Sequence, residues 1–137
     1  MSDSLKKELE EACVKYMDDP LGFDKFMYDW GHGQLKDWAY TDWWQEEVDN
    51  AIKEYLLGPE TMPLCIAISS GHGAAKTSYI ARRINWFMSC RAHPQVVCTA
   101  NTESQLTTRT WREVAKWHKM AANKSWFEWT ATTYYLK

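Results

Sequence analysis

Residues 64–78, LCIAISSGHGAAKTS, constrain the fold more than any other part of the chain. An apolar run leads into a glycine-bearing turn and then into Lys76-Thr77 at the start of a helical pattern. Strand, turn and helix in that order make the layout of a phosphate-binding loop. Such a loop needs backbone N–H groups converging on an anion, a helix N-terminus behind them, and a chain free to turn sharply. Gly71 and Gly73 supply the permissive backbone, and the amides around His72 and Ala74 would face the anion. Lys76 would reach the β- and γ-phosphates of a nucleotide. The Thr77 hydroxyl would bind a Mg2+ ion bridging the phosphate oxygens, and Ser78 completes the set.

The strict spacing G-x-x-x-x-G-K-[ST], aligned on Lys76, asks for glycine where this chain has Ser70 and Ala75. Ala75 is the graver departure, because its Cβ stands where the backbone should press against the phosphates. It predicts weakened or lost nucleotide affinity. The plainer alternative is a turn between a strand and a helix, with Lys76 and Thr77 as ordinary first-turn residues.

A chain of 137 residues is expected to form one domain. Its nine tryptophans demand a large interior or a partner surface. The formal net charge of -2 leaves no overall basic field for non-specific DNA binding. Cys13, Cys65, Cys90 and Cys98 form no C-x-x-C pair and read as buried reduced thiols. The histidines 32, 72, 93 and 118 are too scattered for a metal site. No apolar run approaches the roughly 20 residues of a membrane span, and the charged start MSDSLKKELEE is unlike a signal peptide. A cytoplasmic location without membrane contact is expected.

Residues 3–18 place Leu5, Leu9, Cys13, Tyr16 and Met17 on one side of a helix that Asp18, Asp19 and Pro20 end. A second short helix is expected over 21–30, broken by the glycines that follow. The spacing of Trp44, Val48, Ile52, Tyr55 and Leu56 predicts a helix over 43–57, stopped by Gly58-Pro59. Residues 63–69 and 95–100 read as buried parallel strands joined by a helix over 76–91, a right-handed crossover unit. Residues 102–121 predict a helix opened by Thr102 and Gln105 as a capping box. The aromatic run WFEWTATTYYL reads as a strand.

Three stretches resemble the N-terminal ATPase domain of tailed-phage and prophage terminase large subunits, the motors that move DNA into procapsids. They are DPLGFDKFMYDWGHG (19–33) with DWWQEEV (42–48); ISSGHGAAKTSYIARRINWFMS (68–89); and HPQVVCTANTESQLTTRTWREVAKWHK (93–119) with WFEWTAT (126–132). The resemblance implies an α/β chain, a partial P-loop NTPase three-layer fold of the helicase-like kind with parallel strands. Residues 1–42 would be an N-terminal helical extension. Residues 43–137 would be the first part of the ATPase domain, truncated before its Walker B strand. It implies ATP and Mg2+ as cofactors at a degenerate Walker A loop, for the family accepts serine at the place of Ser70. Ala75 counts against working hydrolysis.

Gln45 resembles the family's glutamine that reads the adenine edge, a task suited to an amide that donates and accepts at once. The alternative is a solvent-facing glutamine in a first helical turn. TANTESQ (99–105) resembles the segment that touches DNA or transmits nucleotide state, with the helix cap as its alternative. Arg82, Arg83, Arg109 and Arg112 are candidates for phosphate contacts to DNA or to a neighbouring subunit's nucleotide, or else residues of solvated helix faces. Implied partners of a full-length parent are double-stranded DNA, the small terminase subunit, the portal and procapsid, and a homo-oligomeric ring.

Hydrolysis in this class needs an apolar strand ending in Asp for Mg2+ and a Glu that orients water. Nothing after the loop fits, and the nuclease half's acidic cluster is absent. The first expectation is therefore an N-terminal terminase fragment that binds nucleotide without turnover. The second is an inactive remnant acting as an interaction module, interfering with a full-length motor or recognised by a bacterial immune sensor. A complete small P-loop kinase or GTPase is disfavoured by the same missing strand end.

Overall fold

In the computed structural model, which describes residues 1–39, 41–59, 61–71 and 75–137, capping side chains start the early helices. The Ser2 hydroxyl accepts the Leu5 amide at 3.3 Å and opens α1, Asp3–Lys15. Asp19 accepts the Gly22 amide at 3.1 Å and opens α2, Pro20–Met27, with proline in the first turn, where its missing N–H costs nothing. Asp42 opens α3, Trp43–Leu57, which stops at Gly58. The described chain forms two compact units, Met1–His72 and Gly73–Lys137.

In the first unit α1 buries Leu9, Ala12 and Cys13, an i, i+3, i+4 stripe, while Leu5 and Met17 at its ends stay exposed. From α2 and its end come Phe23, Met27 and Tyr28, all buried. Full burial of side chains such as Leu9 and Phe23 stabilises the unit by about 1.5–3 kcal/mol each. A Cβ at Gly22 would stand 2.6 Å from the Tyr16 ring, so glycine is what lets α2 lie so close to the end of α1. Lys53 of α3 reaches the Asp19 carboxylate at 3.5 Å and ties α3 to the start of α2.

The second unit is built on α4, Lys76–Cys90, which buries Tyr79, Ala81, Ile84 and Trp86. A continuous helical stretch follows: α5, Glu103–Gln105; a π-helical turn, Leu106–Trp111; and α6, Arg112–Met120. The wide turn has a local cause. The Thr107 and Thr108 hydroxyls donate to the carbonyls of Glu103 and Ser104 and compete with the amides that would complete an α-helical ladder. Val114 and Trp117 of α6 are buried, and α6 packs against α4. Two short strands, β1 (Phe127–Trp129) and β2 (Tyr134–Leu136), pair antiparallel with Phe127 opposite Leu136. Phe127 and Tyr134 stack at 4.7 Å, and the Trp111 indole N–H donates to the Thr130 carbonyl at 2.6 Å.

The three-layer fold with parallel strands is therefore corrected. The described residues are mostly helical, with a single two-stranded antiparallel sheet. Residues 63–69 and 95–100 join no ladder. Leu64, Ile66, Val96 and Val97 are 41%, 44%, 39% and 86% exposed. A continuous apolar strand is stable only when neighbouring strands satisfy its backbone and helices cover both faces. Neither segment finds such a neighbour among the described residues. The aromatic C-terminal run is likewise two strands, not one. The Thr130 hydroxyl accepts the Thr133 amide at 3.1 Å and folds the run back on itself.

Candidate nucleotide site

The residues expected to hold phosphate fall on both sides of the boundary between the units. His72, Gly73 and Ala74 lie outside the described residues. Gly71 ends the first unit's described chain, and Ala75 is the N-cap of α4 with φ 59° and ψ 30°, a left-handed conformation. Ordinary N-caps are extended and carry a side-chain acceptor, whereas Ala75 has neither feature. A left-handed residue followed by right-handed helical ones turns successive amides toward one point, the concave arrangement that receives anions. The left-handed form costs an alanine about 1–2 kcal/mol that glycine would not incur. The glycine missing from the sequence pattern thus has its backbone conformation retained.

Lys76, Thr77 and Ser78 form the first turn of α4 and are half-buried. The Ser78 hydroxyl donates back to the Ala75 carbonyl at 2.8 Å, which holds the start of the helix in place. The helix dipole adds positive potential at this end.

Gln45 belongs to the first unit, on α3, and is 3% exposed. It is not solvent-facing. With Thr41 and Asp49 it makes an i, i+4, i+8 set of buried polar residues, and Asp24 of α2 is buried in the same unit. The periodicity of Trp44, Val48 and Ile52 drew attention to the apolar side of α3, although the polar side is the more deeply buried one. Two carboxylates with Gln45 inside one small unit had no signal other than their spacing.

The four candidate arginines separate. Arg82 is 2% exposed, and its guanidinium lies 4.6 Å from the Trp117 ring centroid, so it belongs to the core of the second unit. Arg83 is half-buried beside the Tyr79 and Trp86 rings. Arg109 and Arg112 are exposed. In TANTESQ, the Thr102 hydroxyl accepts the Gln105 amide at 3.2 Å, so the capping role is filled.

A second polar cluster lies within the second unit. The Tyr134 hydroxyl is 3.3 Å from His118 Nδ1, and the rings meet edge-on at 5.3 Å. Asn85, Asn123 and Ser89 continue the network, with Asn123 donating to the Ser89 hydroxyl at 2.8 Å. Burial first, and then Lys137, Lys119 and Lys124, push the His118 pKa below its ordinary 6.5. Of the cysteines, Cys13 and Cys90 are buried, Cys98 is half-buried with its thiol pKa raised by burial, and Cys65 is exposed. No helix among the described residues is long and apolar enough to cross a membrane. No protein-family model, curated protein or solved structure matches the chain.

Proposed function

We propose that the chain is a terminase large subunit sequence of the phage DNA-packaging kind, and that it binds the polyphosphate of ATP with Mg2+ at the start of α4. The observation that carries this reading is the left-handed backbone at Ala75, kept at a cost, directly before Lys76 and Thr77. Anion binding at a helix N-terminus depends on local amides and the helix dipole, so it does not require a sheet behind the loop. The three stretches that resemble the terminase family supply the choice of ligand. Lys76 would neutralise phosphate charge, and Thr77 would hold the metal.

Calorimetric titration of the chain with Mg-ATP tests this. Saturable binding that vanishes in Lys76→Ala is the expected result.

One observation favours the second reading, an inactive interaction module. Residues 64–70, directly before the loop, and 95–100 carry exposed apolar side chains outside any ladder, a surface suited to a partner. Absence of nucleotide binding at millimolar Mg-ATP would leave that reading in place of the first.

A further inference from the structure

Three side chains of the second unit close a hydrogen-bonded ring without help from the β1–β2 hairpin. The Asn85 amide donates to Asn123 Oδ1 at 3.3 Å, Asn123 donates to the Ser89 hydroxyl at 2.8 Å, and Ser89 donates back to Asn85 Oδ1 at 3.0 Å. Asn85 and Asn123 are buried, so the ring joins α4 to the turn after α6 inside the unit. The hairpin is attached differently. Its strands are three residues long and pair only with each other, an arrangement that is marginal without outside packing. That packing comes from the buried Phe127 and Tyr134 rings, the Trp111–Thr130 bond and one polar junction. There the Tyr134 hydroxyl, with one proton to give, stands 3.3 Å from His118 Nδ1 and 3.5 Å from Asn85 Oδ1. Asn85 Oδ1 already receives Ser89, so in a neutral ring protonated at Nε2 the nearer imidazole nitrogen is the better acceptor.

We propose that the β1–β2 hairpin is a proton-released flap: protonation of His118 parts it from α4 and α6 while those two helices stay packed. Protonation turns Nδ1 from acceptor into donor, so the Tyr134 proton must swing to Asn85 Oδ1 and the order of the junction reverses. It also sets a charge in a half-buried place among cations. Lys137, just after β2, Lys119 of the same helix and Lys124 of the turn before β1 all oppose it. From α4 come the neutral Asn85 and Ser89, while Arg82 is turned to the Trp117 ring, 4.6 Å from its centroid. Two carboxylates on the same elements are engaged elsewhere. Glu113 accepts the Trp117 indole N–H at 3.2 Å, and Glu128 bonds Tyr135 on the other face of the hairpin. Opening gives the imidazolium to water and takes Lys137 away from it. The open form therefore binds the proton first, so the flap is closed above the ordinary imidazole value of 6.5 and opens as pH falls below it. Neither the ring of Asn85, Asn123 and Ser89 nor the contact of Arg82 with Trp117 involves the hairpin, so α4 and α6 remain joined when it leaves.

Amide hydrogen exchange of the full chain, corrected for the intrinsic pH dependence of exchange and read by mass spectrometry, is the test. At about pH 7.5 the amides of 127–137 should be protected, yet exchange at least about tenfold faster than those of α4, as a flap that opens by itself requires. Between about pH 7.5 and about pH 5.5 the hairpin's protection should fall several-fold, with a ceiling of about tenfold set by one pH unit below the ordinary imidazole value, and α4 should stay the better protected throughout. His118→Gln, neutral at both ends of that range, should abolish the fall. Should that variant lose its circular dichroism spectrum, Lys137→Gln replaces it. Lys137 is exposed, and removing its charge should shrink the fall without disturbing the core. Hairpin amides already unprotected at the higher pH, or protected as well as those of α4, would overturn the proposal. So would protection that is constant over the range, or a fall as large in a folded His118→Gln or Lys137→Gln as in the natural chain.

Discussion

Ala75 shows how a single residue type and the backbone it must adopt can disagree. Its left-handed conformation costs about 1–2 kcal/mol, and replacing it with glycine would add about 0.5–1 kcal/mol of unfolded-state entropy to be lost on folding. Ala75→Gly should therefore leave stability unchanged or raise it by up to about 1 kcal/mol, as read from a urea titration. It should also tighten Mg-ATP binding in calorimetry by removing a Cβ beside the phosphates. Trp117 is a second test at this scale. Buried at 5% exposure beneath the Arg82 guanidinium, it fills the space between α4 and α6. Trp117→Ala should destabilise the second unit by about 3–5 kcal/mol through the cavity left behind, measured by denaturant unfolding. The sequence reading assigned Arg82 to a phosphate contact or to a solvated helix face. A guanidinium can be buried when aromatic faces flank it, and no spacing rule reveals that in advance.

Among the elements, those with strong end signals were the most legible. Asp42 and Gly58 bracket α3 at the bounds its periodicity predicts, and Asp19-Pro20 begins α2, although α1 stops earlier than expected, at Lys15. Asp19→Ala removes both the cap on Gly22 and the partner of Lys53, and should cost about 1 kcal/mol, seen as a lower midpoint in a thermal melt. The C-terminal hairpin was misread because its turn, TATT, contains no glycine, asparagine or proline, and depends on the Thr130 hydroxyl instead. Its attachment to α6 through His118 carries a pH dependence. The folded state lowers the His118 pKa, so the unfolded chain takes up the proton first. Stability of the second unit should be full above pH 6.5 and fall as pH drops from there through the lower folded value. Unfolding midpoints of the natural chain and His118→Gln, compared between neutral and mildly acidic pH, check this: the slope should shrink in the variant.

For the molecule as a whole, the missing ladder matters most. Residues 64–70 and 95–100 have strand-like composition, yet stand outside any sheet. Their amides should exchange with deuterium orders of magnitude faster than those of α4, as read by hydrogen-exchange mass spectrometry. Strong protection there would mean that the backbone groups have found partners. Such segments are also edges open to pairing, and a charge introduced at Val97, 86% exposed, should lower aggregation measured by light scattering.

Local rules were enough where the deciding interactions lie within about four residues. Capping oxygens, helix-breaking glycine and proline, and a 3.6-residue apolar period act through neighbouring backbone groups, so the sequence determined the positions of α1, α2, α3 and α4. It also determined which residue types stand at the start of α4. Tertiary structure decided whether apolar segments become strands, whether Gln45 and Arg82 face inward, and where the aromatic tail turns. A strand exists only when a second segment, distant in the chain, satisfies its amides and carbonyls, and a polar side chain is buried only where others enclose it.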